Sequence, residues 1–147
     1  MDNIGQLRVF VAEDFFPIFH EISRNKLFTQ NSEFFIFCTF VGEKENHKVT
    51  LNKRHELCRA VTLTKYDQTA IKALYLKEYG RLSSFKDIVE HAEEWANGGI
   101  EYLLKNILVN VVTQAPTGSW SIKRGMQAEL QLILLKYVLM IKQEAPF

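Results

Sequence analysis

The stretch from Leu130 to Ile141 constrains the fold more than any other part of the sequence, because only Gln131 and Lys136 interrupt its apolar run. It is well short of the roughly 20 apolar residues that a membrane-spanning helix needs. A helix that is apolar on nearly every side must be covered on every side, by its own domain or by another chain. We therefore expect a C-terminal helix over 122–143 that is either central in the domain or shared with a partner.

The rest of the sequence predicts a mainly α fold. Apolar residues recur at helical spacing in about six segments, and short β-forming stretches occur only near residues 7–11 and 59–64. A chain of 147 residues has the usual size of one domain. We predict a single compact helical domain over 1–147, in which the turn-rich segment 114–121 is a candidate hinge before the C-terminal helix.

Capping signals mark two further helices. Thr64–Asp67 and Ser84–Asp87 each have the spacing of a capping box, in which two side chains bind exposed backbone N–H groups at a helix start. Gly80 is placed to end the first of these helices. The triplet Asn97-Gly98-Gly99 predicts a break in the second, with a tight corner before a new helix.

The sequence contains none of the familiar catalytic, cofactor or metal motifs. The paired Gly98-Gly99 lacks the following Lys-Ser/Thr of a phosphate-binding loop, and the four histidines lack metal-binding spacing. Cys38 and Cys58 indicate buried free thiols in a reducing compartment. We therefore expect no catalytic residue, no cofactor and no metal. The first ten residues do not have the pattern of a signal peptide, so we expect a cytoplasmic protein with no membrane contact.

An acidic cluster lies on the amphipathic helix that starts near residue 85. Its members are Asp87, Glu90, Glu93 and Glu94, with His91 among them. Their spacing predicts a solvated helix face, because the apolar residues of the same helix lie opposite. The alternative is a nuclease that uses Asp87, Glu90 and Glu94 with a divalent ion.

The segment from Lys44 to Lys65 carries a local excess of positive charge, with six Lys or Arg residues against two Glu, although the whole chain is nearly neutral at +1. A basic loop is suited to contacts with nucleic-acid phosphates. The predicted DNA-binding residues are Lys48, Lys53, Arg54, Arg59 and Lys65. An ordinary solvated loop is the alternative.

Several motifs in order resemble the small accessory proteins of bacterial DNA phosphorothioation (Dnd-type) systems. They are Phe15-Phe-Pro-Ile-Phe, Lys26-Leu-Phe, Glu33-Phe-Phe-Ile-Phe, Val41-Gly and Ala92-Glu-Glu-Trp-Ala-Asn-Gly-Gly-Ile-Glu101. The resemblance spans about 8–108, and the chain from Val109 onward departs from it. It implies a non-enzymatic accessory in defence against foreign DNA, which contacts DNA or binds a protein partner of a defence complex.

A second hypothesis needs no DNA. The chain would be a protein-interaction module, an adaptor or inhibitor, that forms a homodimer through its C-terminal apolar helix. The predicted interface residues are Leu130, Ile133, Leu134, Tyr137, Val138 and Ile141.

Overall fold

The computed structural model describes residues 4–23, 28 and 30–144, with side chains to residue 141. The helices of these ranges are α1 (Phe16–Ile22), α2 (Asn31–Lys44), α3 (Lys65–Tyr79), α4 (Phe85–Tyr102) and α5 (Gln127–Glu144). The strands are β1 (Arg8–Ala12), β2 (Arg54–Arg59), β3 (Val112–Gln114) and β4 (Trp120–Ile122). The mainly α prediction is confirmed, although the described part of the chain has five α-helices and not about six.

Helix α4 lies at the centre of the fold. It packs against α2, α3 and β1, and its largest interface is with α2. Most of the largest completely buried side chains come from α1, α2 and α4 and from the π-helical turn that follows α4, and they include Phe19, Phe35, Ile100 and Leu103. Ile71 of α3 and Leu130 of α5 complete the core from the other sides. The Phe-rich first third of the chain therefore supplies one wall of the core, and α4 supplies the other.

The predicted corner at Asn97-Gly98-Gly99 is wrong, because α4 continues through it to Tyr102. The glycines serve close packing. A Cβ atom on Gly99 would lie 1.8 Å from the backbone oxygen of Cys38, and one on Gly98 would lie 1.8 Å from that of His47. Gly42 on α2 meets α4 in the same way, because a Cβ atom added to it would lie 2.1 Å from the Trp95 backbone oxygen. Glycine is thus required here by the approach of a neighbouring backbone.

The β structure departs from prediction in its second strand. β1 lies within one residue of the predicted 7–11 element, but its antiparallel partner β2 occupies 54–59 and not 59–64. Residues 60–62 form a 3-10 turn instead. The pairing shifts between Val9 and Phe10, which leaves the Phe10 N–H free to bind a side chain.

The candidate hinge belongs to a β-hairpin. β3 pairs antiparallel with β4, and the Ala115 N–H donates to the Ser119 oxygen across the turn at an N–O distance of 2.8 Å. Since 120–122 pair with β3, α5 begins at Gln127 and not at 122. Whether 114–121 acts as a hinge stays a prediction.

The boundaries of α3 follow the predicted capping chemistry. Thr64 Oγ1 accepts the Asp67 N–H at an O–N distance of 3.1 Å, and Asp67 Oδ2 accepts the Thr64 N–H at 3.2 Å. Gly80 ends the helix in the left-handed conformation, with φ of 71°. At α4, Ser84 accepts the Asp87 N–H at 3.2 Å, while the Asp87 carboxylate binds the Ser83 hydroxyl.

The Thr64 cap can be tested directly. We expect Thr64→Ala to lower the free energy of unfolding by about 1 kcal/mol, because the Asp67 N–H loses its acceptor. Urea denaturation measures this change. Thr69→Ala is the matched control, because Thr69 is exposed inside the same helix and alanine is at least as favourable there. Equal effects at both positions would contradict the role of the cap.

Candidate interaction surface

Helix α5 is held to its own chain by one narrow face. Leu130, Leu134 and Tyr137 are at most 4% exposed and belong to the core. The Tyr137 ring meets the Phe37 ring edge to face, with 6.4 Å between centroids. Its hydroxyl donates to Oε1 of Glu45 at an O–O distance of 3.4 Å. We call these three residues the inner face of α5.

The opposite face of α5 is apolar as well, but it lies in solvent. Leu132, Leu135 and Leu139 are 46%, 43% and 51% exposed, and Ala128 continues their line toward the start of the helix. At 3.6 residues per turn these four residues form one stripe, nearly half a turn away from the inner face. Ala128, Leu132 and Leu135 line a shallow groove there. We call this stripe the outer seam.

The six predicted interface residues all lie away from the outer seam. Leu130, Leu134 and Tyr137 are covered by the chain's own core. Ile133 and Ile141 are partly buried against that core, and Val138 is half-buried. The first three are inaccessible to a second chain while α5 is docked as described. The sequence does contain the signal that finds the outer seam, namely apolar residues spaced by four, three and four positions from Ala128. The inner face has similar spacing, so periodicity alone could not separate the two.

The five predicted DNA-binding residues do not form a free basic surface. Lys48 Nζ lies 2.8 Å from Oε1 of Glu78, and an Arg54 nitrogen lies 2.9 Å from Oε1 of Glu93. All five residues are exposed, including the paired Lys48 and Arg54 as well as Lys53, Arg59 and Lys65. Two of the five cations are therefore already paired with carboxylates, and DNA contact stays a prediction.

Glu93 corrects the prediction of a solvated acidic face, since it is only 3% exposed. The hairpin of β1 and β2 covers this side of α4. Oε2 of Glu93 accepts the Phe10 N–H at an O–N distance of 2.8 Å, and Oε1 accepts from Arg54. Burial raises the pKa of the Glu93 carboxyl to about 7, although the Phe10 N–H and the Arg54 charge both oppose the shift. This carboxyl can therefore change protonation near neutral pH.

His91 is also buried, at 5% exposure. Its Nε2 is hydrogen-bonded to Glu78 of α3, which also pairs with Lys48. Burial works against the charge on Glu78, but the hydrogen bonds from Lys48 and His91 outweigh it and lower the pKa of the Glu78 carboxyl. This network fastens α3 to α4 and to the segment that contains Lys48.

The structure offers little support for metal chemistry at the acidic cluster. Among the described residues, no group of three or more His, Cys, Asp or Glu side chains is placed to hold a metal ion. Both cysteines are free, with Cys38 buried and Cys58 half-buried. Burial raises the pKa of each thiol, which works against the reactive thiolate form.

A polar cleft of about 400 Å³ lies between the end of β1, the loop at 49–53, the end of α4 and the β3–β4 hairpin. Asn97 lines it at 4% exposure and donates from Nδ2 to the Val49 oxygen, while its Oδ1 has no partner within the described residues. Glu101, also in the lining, pairs with His47 at 2.8 Å and with Lys105 at 3.8 Å. The cleft therefore contains a buried acceptor, Asn97 Oδ1, that no described residue satisfies, beside a Glu101 carboxylate that is already paired.

No family model matches the chain, and comparisons with curated proteins and with solved structures return no significant match. The resemblance to Dnd-type accessory proteins therefore stays a prediction. None of the helices in the described ranges is long and apolar enough to cross a membrane.

Proposed function

We propose that the protein is a non-enzymatic protein-interaction module whose docking surface is the outer seam of α5. The observation that carries the proposal is the continuous line of Leu132, Leu135 and Leu139, each about half exposed. Scattered apolar side chains on a surface are ordinary, but a contiguous apolar patch marks an association site. α5 presents such a patch along one side while the inner face anchors it to the body.

The energetics of burial support docking through this surface. A leucine side chain gains roughly 1.5 to 3 kcal/mol when it moves from full exposure to full burial. Leu132, Leu135 and Leu139 are each about half exposed, so covering each would contribute on the order of 1 kcal/mol. Part of that gain is offset by the lost freedom of the two partners, so we expect reversible binding and not a permanent complex.

The charges favour a protein partner over DNA. Lys48 is paired with Glu78, Arg54 lies against Glu93, and the chain carries a net charge of only +1. DNA affinity depends on the number of phosphates that free cations neutralise. An adaptor in a cytoplasmic defence complex, as the Dnd-type resemblance implies, would use the outer seam in the same way and would not need to contact DNA.

The proposal predicts that Leu135→Glu abolishes docking without unfolding the protein. Leu135 is 43% exposed, so its replacement gives up only the partial burial that the side chain already has, and we expect the free energy of unfolding to fall by about 1 kcal/mol. The measurements are urea denaturation, solution mass, and fluorescence of a dye that binds exposed apolar surface. We expect the wild type either to associate or to bind the dye, and the variant to lose whichever property the wild type shows.

Leu76→Glu is the matched control for this experiment. Leu76 lies on α3 and has the same 46% exposure as Leu132, but it is not part of the outer seam. The Leu76→Glu variant should therefore have the same solution mass and the same dye fluorescence as the wild type. If neither property differs between the wild type and the Leu135→Glu variant, the outer seam is not a docking surface and the proposed function is wrong.

A further inference from the structure

We infer that the outer seam binds the outer seam of a second copy of this chain, with the two α5 helices antiparallel. This inference rests on the proposed function and names its partner. The spacing of Ala128, Leu132, Leu135 and Leu139 is four, three and four residues. That is the spacing of the contact positions in a two-stranded coiled coil, where the apolar side chains of one helix fit between those of the other.

The charges beside the outer seam decide the orientation. Glu129 and Lys136 each follow a seam residue directly, so they lie on the same flank of it. Both side chains are exposed. When Leu132 of one copy faces Leu135 of the other in an antiparallel pair, Glu129 falls beside Lys136 of the second copy. The pair has twofold symmetry, so this contact between opposite charges occurs twice.

A parallel pair lacks this complementarity. In a parallel coiled coil, a flanking residue meets the residue five positions further along the other helix. Gln131 of one copy would then meet Lys136 of the other, and Gln131 is uncharged. The apolar seam would be covered in either orientation, but only the antiparallel one also pairs Glu129 with Lys136. The flanking charges therefore favour the antiparallel orientation over the parallel one.

The size of the outer seam predicts a weak dimer. From residue 128 to residue 139 an α-helix advances roughly 17 Å, so the contact is small compared with interfaces of standard size. We expect the dimer to dissociate at micromolar concentration. Because each copy uses its single outer seam on the other, the contact closes on itself and the association stops at two copies.

Charge reversal tests the antiparallel pairing. Glu129→Lys and Lys136→Glu each replace two attractive contacts with two repulsive ones, so we expect either change to weaken the full-length dimer about tenfold. A chain with both changes should regain wild-type association. The two single variants, when mixed, should form a heterodimer, because every flanking contact then joins opposite charges. Sedimentation over a roughly hundredfold range of concentration measures all four cases, since the dimer fraction follows mass action.

Lys86→Glu is the matched control for the change in charge. Lys86 is exposed on α4, away from α5, so we expect this variant to dimerise like the wild type. Urea denaturation of each variant confirms that α5 remains docked. An added salt series should weaken the wild-type dimer modestly, because the flanking contacts are exposed and screened.

The outcomes separate this inference from the proposed function. One outcome is that the wild type dimerises and Leu135→Glu is monomeric, but neither charge reversal changes the dimer affinity and the mixed single variants form no heterodimer. The antiparallel pairing is then wrong, and the docking surface stands. If the wild type stays monomeric at every concentration, the second copy is not the partner. The dye signal lost in Leu135→Glu then decides the proposed function separately.

Discussion

Gly99→Ala is expected to destabilise the protein by more than about 3 kcal/mol, the largest effect that we predict for a single methyl group. The added Cβ would lie 1.8 Å from the Cys38 oxygen and 2.8 Å from the Gly42 nitrogen. Both are backbone atoms, so no side chain can rotate away and α2 and α4 must separate. In an exposed helix the same substitution would stabilise by about 1 kcal/mol, so the sign itself is informative. Urea denaturation measures the loss.

Gly80→Ala is the comparison that isolates the packing effect. Gly80 has φ of 71°, but a Cβ there would meet nothing within 4 Å. Its replacement should therefore cost only the backbone strain of a left-handed residue, about 1 kcal/mol. If Gly99→Ala costs no more than Gly80→Ala, then α2 and α4 do not approach as closely as described.

Acidification from pH 8 to pH 5 is expected to stabilise the wild type through Glu93, and Glu93→Gln should remove this effect. The pKa of Glu93 is raised from 4.5 to about 7 in the folded protein. Between these values the folded state binds a proton that the unfolded state lacks, so stability is lost as the pH rises through 7. The contribution is on the order of 3 kcal/mol. Chemical denaturation at a series of pH values measures it.

Glu94→Gln is the control for the pH experiment. Glu94 adjoins Glu93 in sequence but is only half-buried, so its replacement should leave the pH dependence intact. The Glu93→Gln variant should be at least as stable as the wild type at pH 8, because a glutamine oxygen can still accept the Phe10 N–H. A wild type that becomes more stable as the pH rises from 5 to 7 would contradict the assignment to Glu93.

The helix boundaries that the sequence predicts well depend on contacts between residues close in the chain. The Thr64 cap needs only Asp67, three positions away, and Gly80 needs only its own backbone conformation. Such chemistry is complete within one helical turn. It is therefore visible in the sequence before any tertiary packing is known.

Asn97-Gly98-Gly99 shows the opposite case. A glycine pair reads as a turn because glycine adopts conformations that other residues avoid, but it also permits two backbones to touch. Which of these applies depends on Gly42 and Cys38 of α2, more than fifty positions earlier in the chain. No local pattern carries that information, so the sequence predicted two helices where one exists.

Glu93 and α5 show the same limit for the candidate site. The helical period places Glu93 with Glu90 and Glu94, but only the position of the β1–β2 hairpin shows that Glu93 is covered. In α5 the helical period of the apolar residues identifies two apolar faces. It does not show which of the two is buried against the rest of the domain. The burial of Leu130, Leu134 and Tyr137 in the core is what identifies the opposite face as the outer seam.

The glycine contact between α2 and α4 also makes the fold selective for one helix register. Gly42 and Gly99 meet only when both helices are correctly aligned, and a slide of one turn would place a side chain against the opposing backbone. The contact joins chain segments almost sixty residues apart, so loop closure opposes it by on the order of 4 kcal/mol. A compact chain with α2 and α4 misaligned would have the same loop-closure entropy loss but would lack the close contact between the two helices. The glycines thus help to make the native arrangement distinct from its nearest competitors.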